Sequence, residues 1–139
     1  MSETINKGSR LESLRVIDAS SDGQSVARID NAVVFIEGGV PGDLVDVEVY
    51  RKKKKFFEAR IVKIIEPSPD RRNPVCTHFG ICGGCKWQHM SYEKQLFYKQ
   101  QQVEQALVRI GKIEIPEIRT IIGSSKTEYY RNRLEFTFS

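Results

Sequence analysis

Cys76, Cys82 and Cys85 are the three cysteines of the chain, and they fall within ten residues of one another. Cys82 and Cys85 flank Gly83-Gly84, a turn at which the backbone can fold tightly and aim both sulfurs at one point. Cys76, six positions earlier, can close a third side. Thiolates select soft centres, namely zinc, copper(I) or iron–sulfur. The bland reading is free or redox-active thiols, but small buried cysteines seldom gather three deep in a glycine-rich loop. Three sulfurs leave a tetrahedral site one ligand short. His89 or His78 could complete a Cys3His zinc centre. A 4Fe–4S cluster normally takes four cysteines, so on spacing alone zinc is the economical choice.

A second chemistry lies in the unbroken cationic run Arg51-Lys52-Lys53-Lys54-Lys55. Most charge runs are solvated surface, yet a compact run of positive charge is what a phosphate backbone feels. Phe56 and Phe57 follow directly and set an aromatic platform beside the cationic rail; stacking a base on such a ring is worth roughly 1–3 kcal/mol. Strand alternation assigns one of the two rings to the core. Arg28, Arg71, Arg72, Lys86, Arg131 and Arg133 are further phosphate candidates, with Arg71, Arg72 and Lys86 flanking the cysteines. Trp87, beside Cys85, reads as packing that shields a metal.

The elements that must position these groups are legible in outline. Leu44–Tyr50 and Phe57–Ile64 alternate apolar and polar residues for part of their lengths, as half-buried strands do. Val33-Val34-Phe35-Ile36 suits a buried strand. Turn residues at Ser21-Asp22-Gly23, Asp30-Asn31 and Gly38–Asp43 separate them. About five strands in some sixty residues favour a small OB-like antiparallel barrel over an immunoglobulin-like sandwich, which needs ~100 residues. The basic run then caps a hairpin. Glu66-Pro67-Ser68-Pro69-Asp70 breaks the pattern, so residues 1–66 are expected as the barrel domain and 67–139 as a second region. In that region a long helix is predicted from Ser91, a good N-cap, to Ile110, with Gly111 as its stop. Tyr92, Leu96, Val103, Ala106, Leu107 and Ile110 form its apolar stripe, and Lys99 interrupts it. Arg133–Phe138 alternates as a strand, and the segment after Pro116 reads as the beginning of a truncated α/β domain.

Composition bounds the rest. The 139 residues are 40% hydrophobic and 29% charged, an ordinary folded composition rather than a disordered one. The formal charge of +4 lies in residues 67–139, the first 66 being balanced, which favours an anionic partner. No run of ~18 apolar residues occurs, so no membrane partner is expected. The start lacks a secretory pattern and the cysteines are odd in number and clustered, so the expected compartment is the reducing cytoplasm.

The cysteine run, continuing through Lys86-Trp87-Gln88-His89 to Tyr92 and Gln95-Leu96, resembles the cluster-binding loop of the RNA (uracil-5-)-methyltransferases. Asp22-Gly23 through Val33–Ile36, Pro41-Gly42-Asp43 and Glu58-Ala59-Arg60 through Glu66–Arg71 resemble the small TRAM barrel that precedes it in that family. Arg109-Ile110-Gly111 and Tyr130-Arg131-Asn132-Arg133 are similar to the family's entry into its central domain. The resemblance implies that Cys76, Cys82 and Cys85 are three of four 4Fe–4S ligands, with the fourth beyond residue 139. It implies RNA (rRNA or tRNA) as partner, bound through Arg51–Lys55, Phe56, Arg71, Arg72 and Lys86. It further implies a parent protein that transfers a methyl group from S-adenosylmethionine to C5 of a uracil. The nucleophile, the base and the S-adenosylmethionine site would then lie in the parent's methyltransferase domain, and this chain alone would be inactive. The rival readings are a stand-alone zinc-binding nucleic-acid interaction module with His89 as fourth ligand, and a small redox enzyme using Cys85.

Overall fold

The computed structural model describes residues 5–130. Six strands form one sheet in the order β1-β5-β6-β4-β3-β2: β1 Arg10–Arg15, β2 Asp18–Ala19, β3 Ser25–Ile29, β4 Ala32–Glu37, β5 Leu44–Lys52 and β6 Phe56–Glu66. All pairings are antiparallel except β4 with β6. β1 and β2 are two halves of a single bent strand. Val16 donates to the Asp43 carbonyl at 2.9 Å, whereas its neighbour Ile17 donates to the Val26 carbonyl at 2.8 Å. The first half therefore pairs with β5 and the second with β3, which closes the sheet on itself. Counted this way, the expected five-stranded barrel is present.

The bend has a local cause. Ser13 sits in the left-handed region at φ 55°, and the β1–β5 register shifts between Leu11 and Leu14. The backbone N–H of Ser13 is taken up by Asp46 Oδ1 at 2.9 Å, so the bulge leaves no orphaned donor there.

Alternation fills the barrel with Leu11, Leu14, Val16, Ala27, Val34, Ile36, Val45, Val47, Val49, Phe57 and Ala59. Most are β-branched or small, which suits a narrow interior. Of the two adjacent phenylalanines, Phe57 goes inside and Phe56 outside.

Residues 67–91 form no strand or helix. They make an excursion pinned at its neck, where Arg71 bridges Met90 and Arg72 N–H donates to the His89 carbonyl at 2.9 Å. Helix α1, Tyr92–Gln105, follows and ends in a π-helical turn, Ala106–Ile110. Ser91 is its N-cap residue by position, though its hydroxyl donates to Asp70 Oδ1 (3.1 Å) rather than capping the helix. Gly111 ends the π turn with φ −72°, and it is Lys112 that turns left-handed at φ 52°.

The predicted apolar stripe is not the docking face. Val103 and Ile110 are 54% and 83% exposed, whereas Tyr98 is buried with Ala19, Val40 and Met90 in a second small core. Gln95 donates to the Trp87 and Met90 carbonyls (both 3.0 Å) and Gln102 to the Ala19 carbonyl (3.3 Å). Positions 95, 98 and 102 share one face. That face is read by amides because the surface it meets includes backbone carbonyls of the cysteine excursion and of β2, which need donors more than apolar cover. Tyr92 and Leu96, from the predicted stripe, instead meet residues 123 and 124, where Ser124 N–H donates to the Tyr92 hydroxyl at 2.7 Å. The strand expected over 133–138 lies outside the described residues, as do Arg131 and Arg133. Among the described residues, no helix is long and apolar enough to cross a membrane.

Candidate nucleic-acid interface and cysteine loop

The basic run sits where a hairpin requires it. β5 ends at Lys52, β6 begins at Phe56, and Lys53 N–H closes the tip on the Phe56 carbonyl at 2.9 Å. The five cations are not equivalent. Arg51 pairs with Glu58 at 3.5 Å, and Lys52 Nζ donates to Asn6 Oδ1 at 3.2 Å. Lys53, Lys54 and Lys55 are exposed and make no ion pair among the described residues.

Three side-by-side rows of residues cross the outer face of the barrel. Arg28, Val33 and Phe56 form one; Val26, Phe35, Glu58 and Arg51 the next; Glu37, Arg60 and Glu48 the third. Phe35 and Phe56 meet edge to face with centroids 5.3 Å apart. In the third row Arg60 is neutralised by Glu48 at 3.0 Å, and Tyr50 donates to Glu37 at 2.7 Å. Burial, and then that bond to Glu37, push the Tyr50 phenol up to about 12, so Tyr50 stays a neutral donor.

Arg71 corrects the sequence reading. It is not a free phosphate ligand, because its guanidinium is spent inside the protein on the Asp43 carboxylate, and Nη2 also donates to the Gly38 carbonyl at 2.9 Å. Arg72 is exposed but turns back on the Pro69 and Arg71 carbonyls, at 2.7 and 2.8 Å. Lys86 is exposed, its aliphatic stem lying over Gly23, where a Cβ would come within 2.5 Å of Lys86 Cβ. At φ 85° and with no room above it, position 23 requires glycine. This contact seats the cysteine loop on the β2–β3 turn.

Within the loop, Gly83 at φ 70° makes the turn between Cys82 and Cys85. Gln88 ties two of the cysteines together: its Oε1 accepts from Cys76 N–H at 3.0 Å and its Nε2 donates to Cys85 Sγ at 3.4 Å. All three thiols are free, with Cys76 and Cys82 exposed and Cys85 partly buried. As a donor set they fit a soft metal, three ligands of the four required. The side chains do not converge, however: among the described residues no three His, Cys, Asp or Glu are gathered to hold a metal ion.

His89 is held apart from the thiols by the barrel. Its ring is buried, lies 5.1 Å from the Phe79 ring, and places Nε2 3.0 Å from the Gly39 carbonyl. That geometry requires Nε2 to carry the proton, and Nδ1 is left buried without a partner. Burial holds the His89 pKa below its ordinary value, so the ring is neutral. Trp87 is half-buried against the Ala19–Val40–Met90–Tyr98 core.

Nothing in the residue pattern marks Asp43 as the hub of this region. A lone acidic residue after Pro41-Gly42 reads as turn chemistry, and only its complete burial shows otherwise. Phe35 was equally hidden inside an apolar run, where alternation by itself does not say which ring faces out.

Comparison with known proteins accords with this geometry. A family model described as TRAM domain matches residues 12–62, nearly the whole barrel. A protein of Bacteroides thetaiotaomicron named as an uncharacterized RNA methyltransferase is 55% identical over 120 residues, 86% of this chain and 26% of that protein. One of the same name from Porphyromonas gingivalis is 53% identical over 126 residues, 91% and 27% of the two chains. The 23S rRNA (uracil(1939)-C(5))-methyltransferase RlmD of Legionella pneumophila is 37% identical over 122 residues, 88% and 27%. The chain spans about a quarter of the length of these relatives.

Proposed function

Since residues 12–62 are a TRAM domain and the chain is related along most of its length to RNA methyltransferases, we propose that it is the RNA-gripping portion of an enzyme that methylates uracil C5 in rRNA or tRNA. The observation that carries this reading is the cluster of three unpaired lysines, Lys53–Lys55, at the tip of a barrel of a type that binds RNA. Small barrels of this kind engage nucleic acid through loops and one face. Three lysines that make no ion pair among the described residues are free to displace counterions from a phosphate backbone.

In this reading the chain supplies binding, and the methyltransferase domain of the whole cytoplasmic protein supplies S-adenosylmethionine and turnover. Cys76, Cys82 and Cys85 would hold three corners of a 4Fe–4S cluster whose fourth ligand comes from outside this chain. Closure of the loop around such a cluster would draw in Cys82, the cysteine that the Gln88 tether leaves out. The Cys3His alternative is less well supported, because the His89 ring faces the Gly39 carbonyl and is buried against the barrel.

The test is salt-dependent binding of a labelled RNA. Weak binding that falls steeply with salt is expected, and replacing Lys53, Lys54 and Lys55 with Gln should flatten the log–log salt slope by about 2. Binding that ignores salt, or no binding at all, would remove the RNA role.

A further inference from the structure

We propose that the outward face of β3, β4 and β6 is a stacking platform for single-stranded RNA, with Phe35 and Phe56 as its rings and Arg28 as its anchoring cation. The inference rests on the reading that the barrel binds RNA, and goes further by naming the strand state recognised and the residues that recognise it.

The argument begins with alternation. Val34, Ile36, Phe57 and Ala59 point into the barrel, so Phe35 and Phe56 point out of it and remain partly exposed. Two large rings on the solvent side of strands that already have a full core are not needed to close that core. They touch one another at 88°, edge to face.

Charge then gives the face a direction. In the Phe56 row, Arg28 is exposed and without an ion pair among the described residues, and Lys53–Lys55 follow directly at the tip. In the rows beyond, Arg51 is answered by Glu58 and Arg60 by Glu48. Among these three rows, uncompensated positive charge is thus confined to the one that holds Phe56. The complementary ligand is a polyanion with flat apolar groups that can leave their own stack. In a duplex the bases are paired and stacked and only backbone is presented, so an RNA helix could use the cations but not the rings.

The experiment uses the full chain and a labelled single strand of about twelve nucleotides, the upper range of a small-barrel site. It carries 2-aminopurine at its centre, and a hairpin duplex of equal charge serves as comparison. Phe35→Leu and Phe56→Leu are each expected to weaken single-strand binding about tenfold, with thermal unfolding close to that of the parent. Because no cation is lost, the salt slope should not change. The 2-aminopurine emission change on binding should shrink in the same variants, a signal that a purely structural role would not move. Arg28→Gln should instead lower the slope by about 0.7. Phenylalanine variants that bind like the parent, while the lysine variants lose binding, would overturn the platform and leave RNA binding by the tip intact. Tighter binding of the hairpin than of the single strand would also overturn it. Absence of binding to either RNA would overturn this inference together with the reading beneath it.

Discussion

Asp43 in the β4–β5 turn and Arg71 in the segment after β6 form a two-pronged ion pair, Nη2 to Oδ2 at 2.5 Å and Nε to Oδ1 at 3.1 Å. The carboxylate is fully buried. It also accepts from Val40 N–H and Ser68 N–H, both at 2.7 Å, so four donors converge on two oxygens. Arg71 pairs in turn with Met90, so this side chain, together with the His89 contact to the Gly39 carbonyl, fastens the neck of the cysteine excursion to the barrel. At residue 66 strand β6 gives way to loop, and the ion pair joins the two across that point.

Removing either partner of this pair should cost about 3 kcal/mol, since a buried charge is left without its counterion. Asp43→Asn would also turn an amide N–H₂ toward donors that need an acceptor. The double variant Asp43→Asn/Arg71→Gln should cost clearly less than the sum of the single ones, because both remove the same interaction. Urea unfolding of the four proteins measures this; simple additivity would show that the pair is not coupled.

Acid should destabilise the fold in two windows. Burial alone would raise the Asp43 pKa, but the bonds from Arg71, Ser68 and Val40 outweigh it and hold it below 3.8. His89 is held below 6.5, chiefly by burial. For both groups the unfolded chain binds protons at a pH where the folded chain does not, so stability rises with pH. The His89 contribution is complete above pH 6.5 and declines as pH falls below it; the Asp43 contribution declines only below pH 3.8. His89→Gln should abolish the upper window and spare the lower one, as read by urea midpoints across pH.

Much of the barrel was legible in the sequence because each strand carries its own period and each turn its own chemistry. Leu44–Tyr50 alternates, Asp30-Asn31 reverses the chain, and the lysine run could only be a tip. What escaped was set by partners distant in sequence. Arg71 looked like its neighbour Arg72, and nothing local separates a phosphate ligand from a residue that binds a carboxylate 28 positions away. The helix was found but its docking face was not. Periodicity reports where apolar residues recur, and this interface is built from Gln95, Tyr98 and Gln102 against backbone carbonyls.

That docking face makes a prediction which the apolar stripe does not. Tyr98→Ala should cost about 3 kcal/mol, the usual penalty for emptying a buried aromatic site. Ile110→Ala and Val103→Ala, at exposed positions, should stay within about 0.5 kcal/mol of the parent. Equilibrium unfolding followed by far-ultraviolet circular dichroism decides between them. Equal losses at positions 98 and 110 would return the stripe to the interface.

The cysteine loop should behave as an incomplete ligand set. With three thiolates available and Gln88 already bonded to Cys85 Sγ and Cys76 N–H, anaerobic treatment with iron and sulfide should give a sub-stoichiometric chromophore that bleaches in air, since a cubane iron without its fourth thiolate is open to solvent and oxidant. Zinc added afterwards should be taken up by the same thiols and protect them from alkylation. Cys82→Ser should abolish both responses while leaving the unfolding midpoint unchanged, because Cys82 is exposed and the substitution is nearly isosteric. A full, air-stable four-iron cluster in this chain would mean that the fourth ligand lies within it. Iron and zinc uptake that survives Cys82→Ser would show that the three sulfurs do not act together.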